Sequence, residues 1–225
     1  MIGNALLQFG LFTVLTIGLA IPCALYLARL FNNGEAETVI AVAPIERWIS
    51  KIIGSQTSQQ QNWRGYLFSV LFFNAIGGLF LYVLLRLQGS LPWNPQNFPG
   101  LPSHLAFNIA VSYMTNTNWQ SYGGEATLSH FSQTIGLTVQ NYLSAATGLA
   151  VAFAVVRGFI RKEKAELGNF YADVAHITLY VLLPLALIFG VFLVWQGVPQ
   201  NMGPNVQATT LEGGQQIIAQ GPVAS

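Results

Sequence analysis

The chain has 225 residues, of which 52% are hydrophobic and only 8% are charged. Soluble domains usually carry about 25% charged residues, so this composition indicates a membrane protein. Nine Lys and Arg against eight Asp and Glu leave no basic surface for nucleic acid, and a single cysteine, Cys23, excludes an internal disulfide.

Four apolar segments are long enough to cross a bilayer core, which needs about 20 residues in a helix. We therefore predict an all-α polytopic membrane protein with transmembrane helices at residues 6–28, 66–85, 134–156 and 174–195. No Lys or Arg precedes Arg29, so the first segment lacks the basic start of a secretory signal. It is interpreted as a retained membrane helix.

Basic residues predict the orientation. Eight of the nine Lys and Arg lie between the first and second helices or between the third and fourth, and only Arg86 is left for the other side. Cytoplasmic loops carry such an excess, so the loops 31–64 and 157–173 are predicted to be cytoplasmic. The N-terminus and the tail 197–225 are then external.

Apolar residues at helical spacing over residues 45–52 also predict a short interfacial helix in the first loop.

The segment 101–120 does not fit a complete span. Leu101–Met114 is apolar, but as a helix it reaches only about 20 Å at about 1.5 Å per residue. Pro102 and Ser103 are typical of a helix start. Because irregular backbone persists at membrane depth only where it is buried or lines a watery cavity, we predict a re-entrant pore half-helix followed by a filter loop, Thr115–Gln120.

The filter loop is the candidate ion site. Its proposed ion-binding residues are Thr115, Asn116, Thr117 and Asn118, and its supporting residues are Trp119 and Gln120. The C-terminus of the half-helix favours a cation, and backbone carbonyls can replace the hydration shell of an ion. The loop contains no acid, which favours a monovalent cation over a divalent one. The alternative is an external loop whose Asn and Thr side chains only form turns.

Other polar residues support weaker interpretations. The sequence contains no phosphate loop, nucleophile elbow or HExxH motif, so we assign no catalytic residue, and His104 and His130 lack the spacing of metal ligands. The third helix carries a polar stripe, for which interhelical hydrogen bonding is favoured over a water-filled path. The members of this stripe are Gln140, Asn141, Ser144 and Thr147.

Blocks around the filter loop resemble a known family. Leu105–Asn108, Ala110–Ser112 and Thr115–Gln120 closely resemble the first selectivity-filter region of the potassium-binding A subunit of the bacterial Kdp potassium-transporting ATPase. The likeness continues through the loops and the fourth helix and covers nearly the whole chain. It includes Pro44, Glu46, Arg47, Trp63, Tyr66, Leu91, Pro92, Asn94, Pro95, Leu167–Phe170, Leu182–Leu185 and Val194–Gln200.

The resemblance implies a fold and a function. Such subunits belong to the potassium-transporter superfamily, in which four helix–pore–helix repeats surround one filter. This chain would supply one repeat, and Thr115–Asn118 would supply one quarter of the filter for the potassium ion. The subunit would take up external potassium at high affinity and deliver it through the membrane to a P-type ATPase subunit. That partner would hydrolyse ATP, so the subunit itself would be non-catalytic.

The resemblance also implies partners and a location. The partners are the P-type ATPase catalytic subunit and the accessory small subunits of the Kdp complex, within the lipid bilayer. The location is the bacterial inner (plasma) membrane, with several passes and the N-terminus outside. We further expect the chain to be a fragment, because one pore repeat cannot surround an ion.

Two alternatives stay open at this point. The first is a Trk- or Ktr-like potassium channel subunit, which shares pore-loop repeats but partners with cytosolic nucleotide-binding rings. The second is a membrane scaffold without an ion path. The continuous likeness across the loops favours the Kdp-like subunit.

Overall fold

The computed structural model describes residues 2–32, 60–160 and 166–221 and is mainly helical. Its helices include four that are long and apolar enough to cross a membrane. The predicted all-α class with four transmembrane helices is therefore confirmed. The interfacial helix predicted at residues 45–52 lies outside the described residues.

The N-terminal unit, residues 1–48, contains one described element, helix α1 (Ile2–Asn32). Its apolar stretch Ala5–Leu30 has a mean hydropathy of 2.1 over its best window, and at 26 residues it is long enough for a bilayer core of about 30 Å. The hydroxyl of Thr13 donates to the carbonyl of Phe9 at 2.8 Å, so this polar group is satisfied within the helix.

The second unit, residues 49–225, contains the remaining elements. Its helices are α2 (Trp63–Arg86), α3 (Ser103–Met114), α4 (Gly124–Thr127), α5 (Ser132–Ile160) and α6 (Phe170–Trp195). Both long C-terminal helices contain π-helical turns. These turns lie at Ser132–Thr138, the start of α5, and at Ile177–Leu182 within α6. A short 3-10 turn, Gln88–Ser90, follows α2.

Four short strands accompany the helices and were not predicted. Strand β1 (Gln61–Asn62) pairs antiparallel with β2 (Glu166–Gly168), which joins the start of α2 to the start of α6. Strands β3 (Val206–Thr209) and β4 (Gln215–Ile218) form an antiparallel hairpin in the C-terminal tail. Nε2 of His130, just before α5, donates a hydrogen bond to the carbonyl of Gly203 at 2.9 Å, so the tail is docked onto the helical unit.

The core of this unit lies where the short helix α3 packs against α2 and α5. Its buried side chains are Leu81, Leu85, Leu101, Ala106, Ile109, Ala110, Tyr113, Leu128 and Leu137. Two glycines of α2 allow the close approach. A Cβ at Gly78 would lie 2.8 Å from Sδ of Met114, and a Cβ at Gly77 would lie 2.7 Å from Oε1 of Gln140. The C-terminal end of α3 and the Gln140 side chain of α5 therefore both pack closely against α2.

Candidate functional site

Helix α3 ends at the predicted filter loop. It has 12 residues, which corresponds to about 18 Å at about 1.5 Å per residue. Thr115, the first residue of the loop, caps the helix with φ −87° and ψ 1°, and its N–H donates to the carbonyl of Val111 at 3.0 Å. The loop therefore starts directly from the last turn of α3, in which Ser112 and Tyr113 are buried.

The carbonyl of Ser112 is the anchor of the loop. It accepts hydrogen bonds from the N–H groups of Thr117 at 3.1 Å and Asn118 at 3.3 Å, and the hydroxyl of Thr117 also approaches it at 3.1 Å. The hydroxyl of Ser112, which is only 1% exposed, donates to the carbonyl of Trp119 at 2.9 Å. One residue in the last turn of α3 thus holds both the middle and the end of the loop.

Asn116 and Asn118 have left-handed backbone conformations. Their φ angles are 56° and 52°, while Thr117 between them has no positive φ. Among residues with a side chain, Asn is one of the few that adopts this region without a large steric cost. The alternation of Thr and Asn over residues 115–118 therefore fits a backbone in which every second residue has a positive φ.

This backbone turns carbonyl groups away from the helix. In a trans peptide the N–H and C=O point in opposite directions. Because the N–H groups of Thr117 and Asn118 point at the Ser112 carbonyl, the carbonyls of Asn116 and Thr117 point away from it. Within the described part of the chain the carbonyls of Thr115–Asn118 accept no hydrogen bond, and all four residues are exposed. Their oxygens can coordinate a cation.

The side chains of the loop bond to α5. Nδ2 of Asn118 donates to Oδ1 of Asn116 at 3.1 Å and to Oδ1 of Asn141 at 3.0 Å. The hydroxyl of Ser144 approaches Oδ1 of Asn116 at 3.3 Å. The structure therefore brings half of the predicted polar stripe, Asn141 and Ser144, to the filter loop.

The other half of the stripe has different neighbours. The Gln140 side chain lies against Gly77 of α2. The hydroxyl of Thr147 donates to the carbonyl of Leu143 in its own helix at 2.8 Å. The stripe thus combines filter contacts with ordinary helix packing.

Trp119 and Gln120 complete the loop in different ways. The Trp119 side chain is 54% exposed, and the residue is held through its carbonyl. Nε2 of Gln120 lies 3.5 Å from the hydroxyl of Tyr113, which also accepts from the Tyr122 hydroxyl at 3.4 Å. A small cavity of about 170 Å³ lies beside these groups and reaches Asn141. Burial, and then the hydrogen bond to Tyr113, raise the pKa of Tyr122, so its phenol stays protonated.

Sequence reasoning did not single out Ser112. The residue lies within the predicted apolar half-helix, and its role depends on how the chain folds back after Met114. The available signal was its position, since the carbonyls of the last helical turn have no partner inside the helix. The N–H groups of Thr117 and Asn118, which follow that turn, are suitable donors to cap the Ser112 carbonyl.

Residues 10–225 match the model of a protein family described as the potassium-transporting ATPase A subunit. The chain belongs to this family. The resemblance inferred from the filter loop and its flanking blocks is therefore confirmed.

Relatives of the A-subunit family match the chain along its whole length. A protein of Rhodospirillum centenum named as a potassium-transporting ATPase potassium-binding subunit is 51% identical over 225 residues, which are 100% of this chain and 39% of that protein. Proteins with the same name from Methylobacterium nodulans and Allorhizobium ampelinum are each 48% identical, over 222 and 225 residues. These cover 99% and 100% of this chain and 39% and 40% of the relatives. The chain thus spans about two fifths of the length of these relatives.

Proposed function

We propose that this chain provides one pore loop of a potassium-binding subunit in an ATP-driven potassium uptake complex. Its relatives are named as potassium-binding subunits of a potassium-transporting ATPase. In this proposal the subunit takes up external potassium and delivers it through the membrane to the ATPase subunit. ATP is hydrolysed by that partner, and accessory small subunits complete the complex.

The observation that carries the proposal is the backbone of the filter loop. The carbonyls of Asn116 and Thr117 point away from the Ser112 anchor and have no hydrogen-bond donor in the described residues, and both residues are exposed. Carbonyl oxygens fixed in this way can replace the hydration shell of a potassium ion. We infer that Thr115–Asn118 bind the transported ion and that Trp119 and Gln120 support the loop.

The charge of the site supports a monovalent substrate. Thr115–Gln120 contains no acidic residue, and no group of three or more His, Cys, Asp or Glu that could hold a metal ion occurs among the described residues. Divalent cations such as Ca²⁺ are bound by carboxylates in most protein sites, whereas neutral carbonyl dipoles suit a weakly hydrated monovalent ion. This favours a monovalent cation, and the names of the relatives indicate potassium.

The proposed position of α3 is a re-entrant one on the external side of a bacterial inner membrane. Eight of nine basic residues lie in the two loops 31–64 and 157–173 or, for Arg29, directly before the first of them, which supports a cytoplasmic location for those loops. The N-terminus, the filter loop and the tail would then face outward. The C-terminal end of α3, with its partial negative charge, would point to the middle of the membrane.

The match over residues 10–225 supports this function over the two alternatives. It is a match to the A subunit of a potassium-transporting ATPase, which favours that assembly over a Trk- or Ktr-like channel. A scaffold without an ion path would not need a loop whose carbonyls accept no hydrogen bond within the described part of the chain. The outward orientation of the Asn116 and Thr117 carbonyls therefore favours an ion site.

The proposal can be tested with two substitutions at one position. In a complete family subunit that carries this chain, Asn116→Val should disrupt the loop, because a β-branched residue does not tolerate a φ of 56°. Asn116→Gly keeps this conformation and should cost less. Strain of about 1–3 kcal/mol should weaken apparent potassium affinity by roughly tenfold or more in the Val variant.

The measurement is potassium-dependent growth of an uptake-deficient bacterial strain, together with initial rates of potassium uptake. The amount of subunit in the membrane is measured in parallel. A Val variant that accumulates normally and transports potassium with unchanged affinity would show that the loop is not the ion site.

A further inference from the structure

We propose that Asn141 of α5 is a positioning residue that fixes the filter loop through Asn118 and thereby sets the preference of the site among monovalent cations. The inference rests on the proposed function of the loop. It assigns to the third long helix a role in selectivity, in addition to packing. Asn141 itself need not touch the ion.

The side chains form a continuous hydrogen-bonded path from α5 to the loop. Oδ1 of Asn141 accepts from Nδ2 of Asn118 at 3.0 Å, and the second proton of the same Nδ2 is donated to Oδ1 of Asn116 at 3.1 Å. Both protons of this amide are therefore used. Through it, Asn141 is linked to both left-handed residues of the loop.

This path fixes the loop on the side that Ser112 does not reach. The Ser112 carbonyl binds the N–H groups of Thr117 and Asn118 and so holds the loop against α3. The side chain of Asn118 holds it against α5. A loop attached to two helices keeps the orientation of its carbonyls better than a loop attached to one. This explains why Asn, rather than Gly, is used at a left-handed position where Gly would fit the backbone more easily.

Among the polar residues of α5, Asn141 has the strongest connection to the loop. Ser144 also approaches Oδ1 of Asn116, at 3.3 Å, but its hydroxyl has a single proton and lies 3.2 Å from the carbonyl of Asn141. It can donate to only one of these acceptors at a time. Gln140 lies against Gly77 of α2, and Thr147 bonds within its own helix.

The π-helical start of α5 contributes to this placement. Ser132–Thr138 lies directly before the turn that carries Asn141. One additional residue in a helix rotates everything after it by about 100°, since an α-helix has about 3.6 residues per turn. Such π-helical turns occur frequently at functional sites. Here the turn determines which face of α5 meets the loop.

Selectivity depends on the number and field strength of the coordinating oxygens, so a loop that loses one attachment should discriminate less. The test uses a complete family subunit carrying this chain, assembled with its ATPase partners. Apparent affinities for potassium and for rubidium are measured from initial uptake rates. Their ratio does not depend on how many complexes assemble, so a purely structural defect would leave it unchanged.

The variants are Asn118→Gly, Asn141→Ala, Asn141→Leu and the double variant Asn118→Gly/Asn141→Ala. Asn118→Gly keeps the backbone conformation and removes the amide. Ala keeps helix α5 stable, and Leu fills the volume of the lost side chain. Thr147→Val is the matched control, because its hydroxyl bonds only to the Leu143 carbonyl of its own helix among the described contacts.

Each single variant at position 118 or 141 should change the rubidium-to-potassium affinity ratio by roughly two- to tenfold, the range expected for one hydrogen bond. The double variant should match Asn118→Gly alone, because Asn141→Ala removes only a bond that Asn118→Gly has already removed. Thr147→Val should leave the ratio unchanged.

The proposal fails if both Asn141 variants keep the parental ratio, or if the effects of Asn118→Gly and Asn141→Ala multiply. Failure of the proposed function gives a different result. If the loop is not the ion site, Asn116→Val and Asn118→Gly also leave potassium transport unaltered.

Discussion

Arg157 and Asp173 form a bidentate ion pair that joins the end of α5 to the start of α6. The two guanidinium nitrogens lie 2.7 and 2.8 Å from the two carboxylate oxygens, and the side chains are only 16% and 6% exposed. The Tyr66 hydroxyl of α2 approaches the same carboxylate at 3.0 Å. Three long helices therefore meet at one carboxylate, at the end of the unit away from the filter loop.

Removing one partner of this pair should destabilise the protein strongly. Asp173→Ala would leave the Arg157 charge buried, and breaking such a pair typically costs about 3–5 kcal/mol. The thermal unfolding of the purified complex in detergent measures the effect. Arg64→Ala is the control, since Arg64 is exposed and lies 5.2 Å over the Trp63 ring. Equal stability of the Asp173 and Arg64 variants would contradict the structural role of the pair.

The loop before α6 should tolerate no side chain at Gly168. This residue has φ +111°, and a Cβ there would collide with Nη1 of Arg157. Gly168→Ala should therefore strain the backbone and displace the ion pair, which lowers the unfolding temperature. Gly148→Ala is the matched control, because a Cβ there meets nothing within 4 Å and Ala is the better helix former. A smaller or equal loss at position 168 would be evidence against the predicted collision.

The long helices could be predicted from the sequence because a membrane imposes one requirement on them. Uncharged segments of this length must satisfy their backbone hydrogen bonds internally, and a helix does so. The start of α3 at Ser103 followed from Pro102 and Ser103, and its short length followed from the apolar segment 101–114. These features depend on local composition, which can be read from the sequence without knowledge of contacts between distant residues.

The contacts between elements could not be predicted in this way. The bond from Asn118 to Asn141 depends on the rotation of α5, which the π-helical turn sets and which no residue pattern indicates. The ion pair of Asp173 with Arg157, 16 residues apart, depends on the packing of the end of α5 against the start of α6. The hairpin β3–β4 was missed because each strand has only four residues, two of which are Gln or Ala, so Val206, Thr209, Ile217 and Ile218 form no longer strand-like run.

The topology can be tested by cysteine labelling. Leu211 is fully exposed at the tip of the hairpin, between β3 and β4. In a Cys23→Ser background, Leu211→Cys should react with a membrane-impermeant thiol reagent in intact cells. Arg64→Cys, at the start of α2, should react only after the cells are opened, because the basic loops are proposed to be cytoplasmic. The reverse pattern of labelling would require the opposite orientation.

The anchor at Ser112 gives the most direct test of how the loop is held. Ser112→Ala removes the donor to the Trp119 carbonyl and leaves the buried end of α3 otherwise unchanged, since the Ser112 carbonyl still binds Thr117 and Asn118. Losing this one bond should raise the apparent Km for potassium by roughly two- to tenfold.

The matched control is Ser121→Ala, because the Ser121 hydroxyl is exposed and its bond to Asn108 is longer, at 3.3 Å. Uptake kinetics in the complete subunit measure both variants. A change in the amount of protein with an unchanged Km in the Ser112 variant would mean that this hydroxyl stabilises α3 without shaping the filter loop.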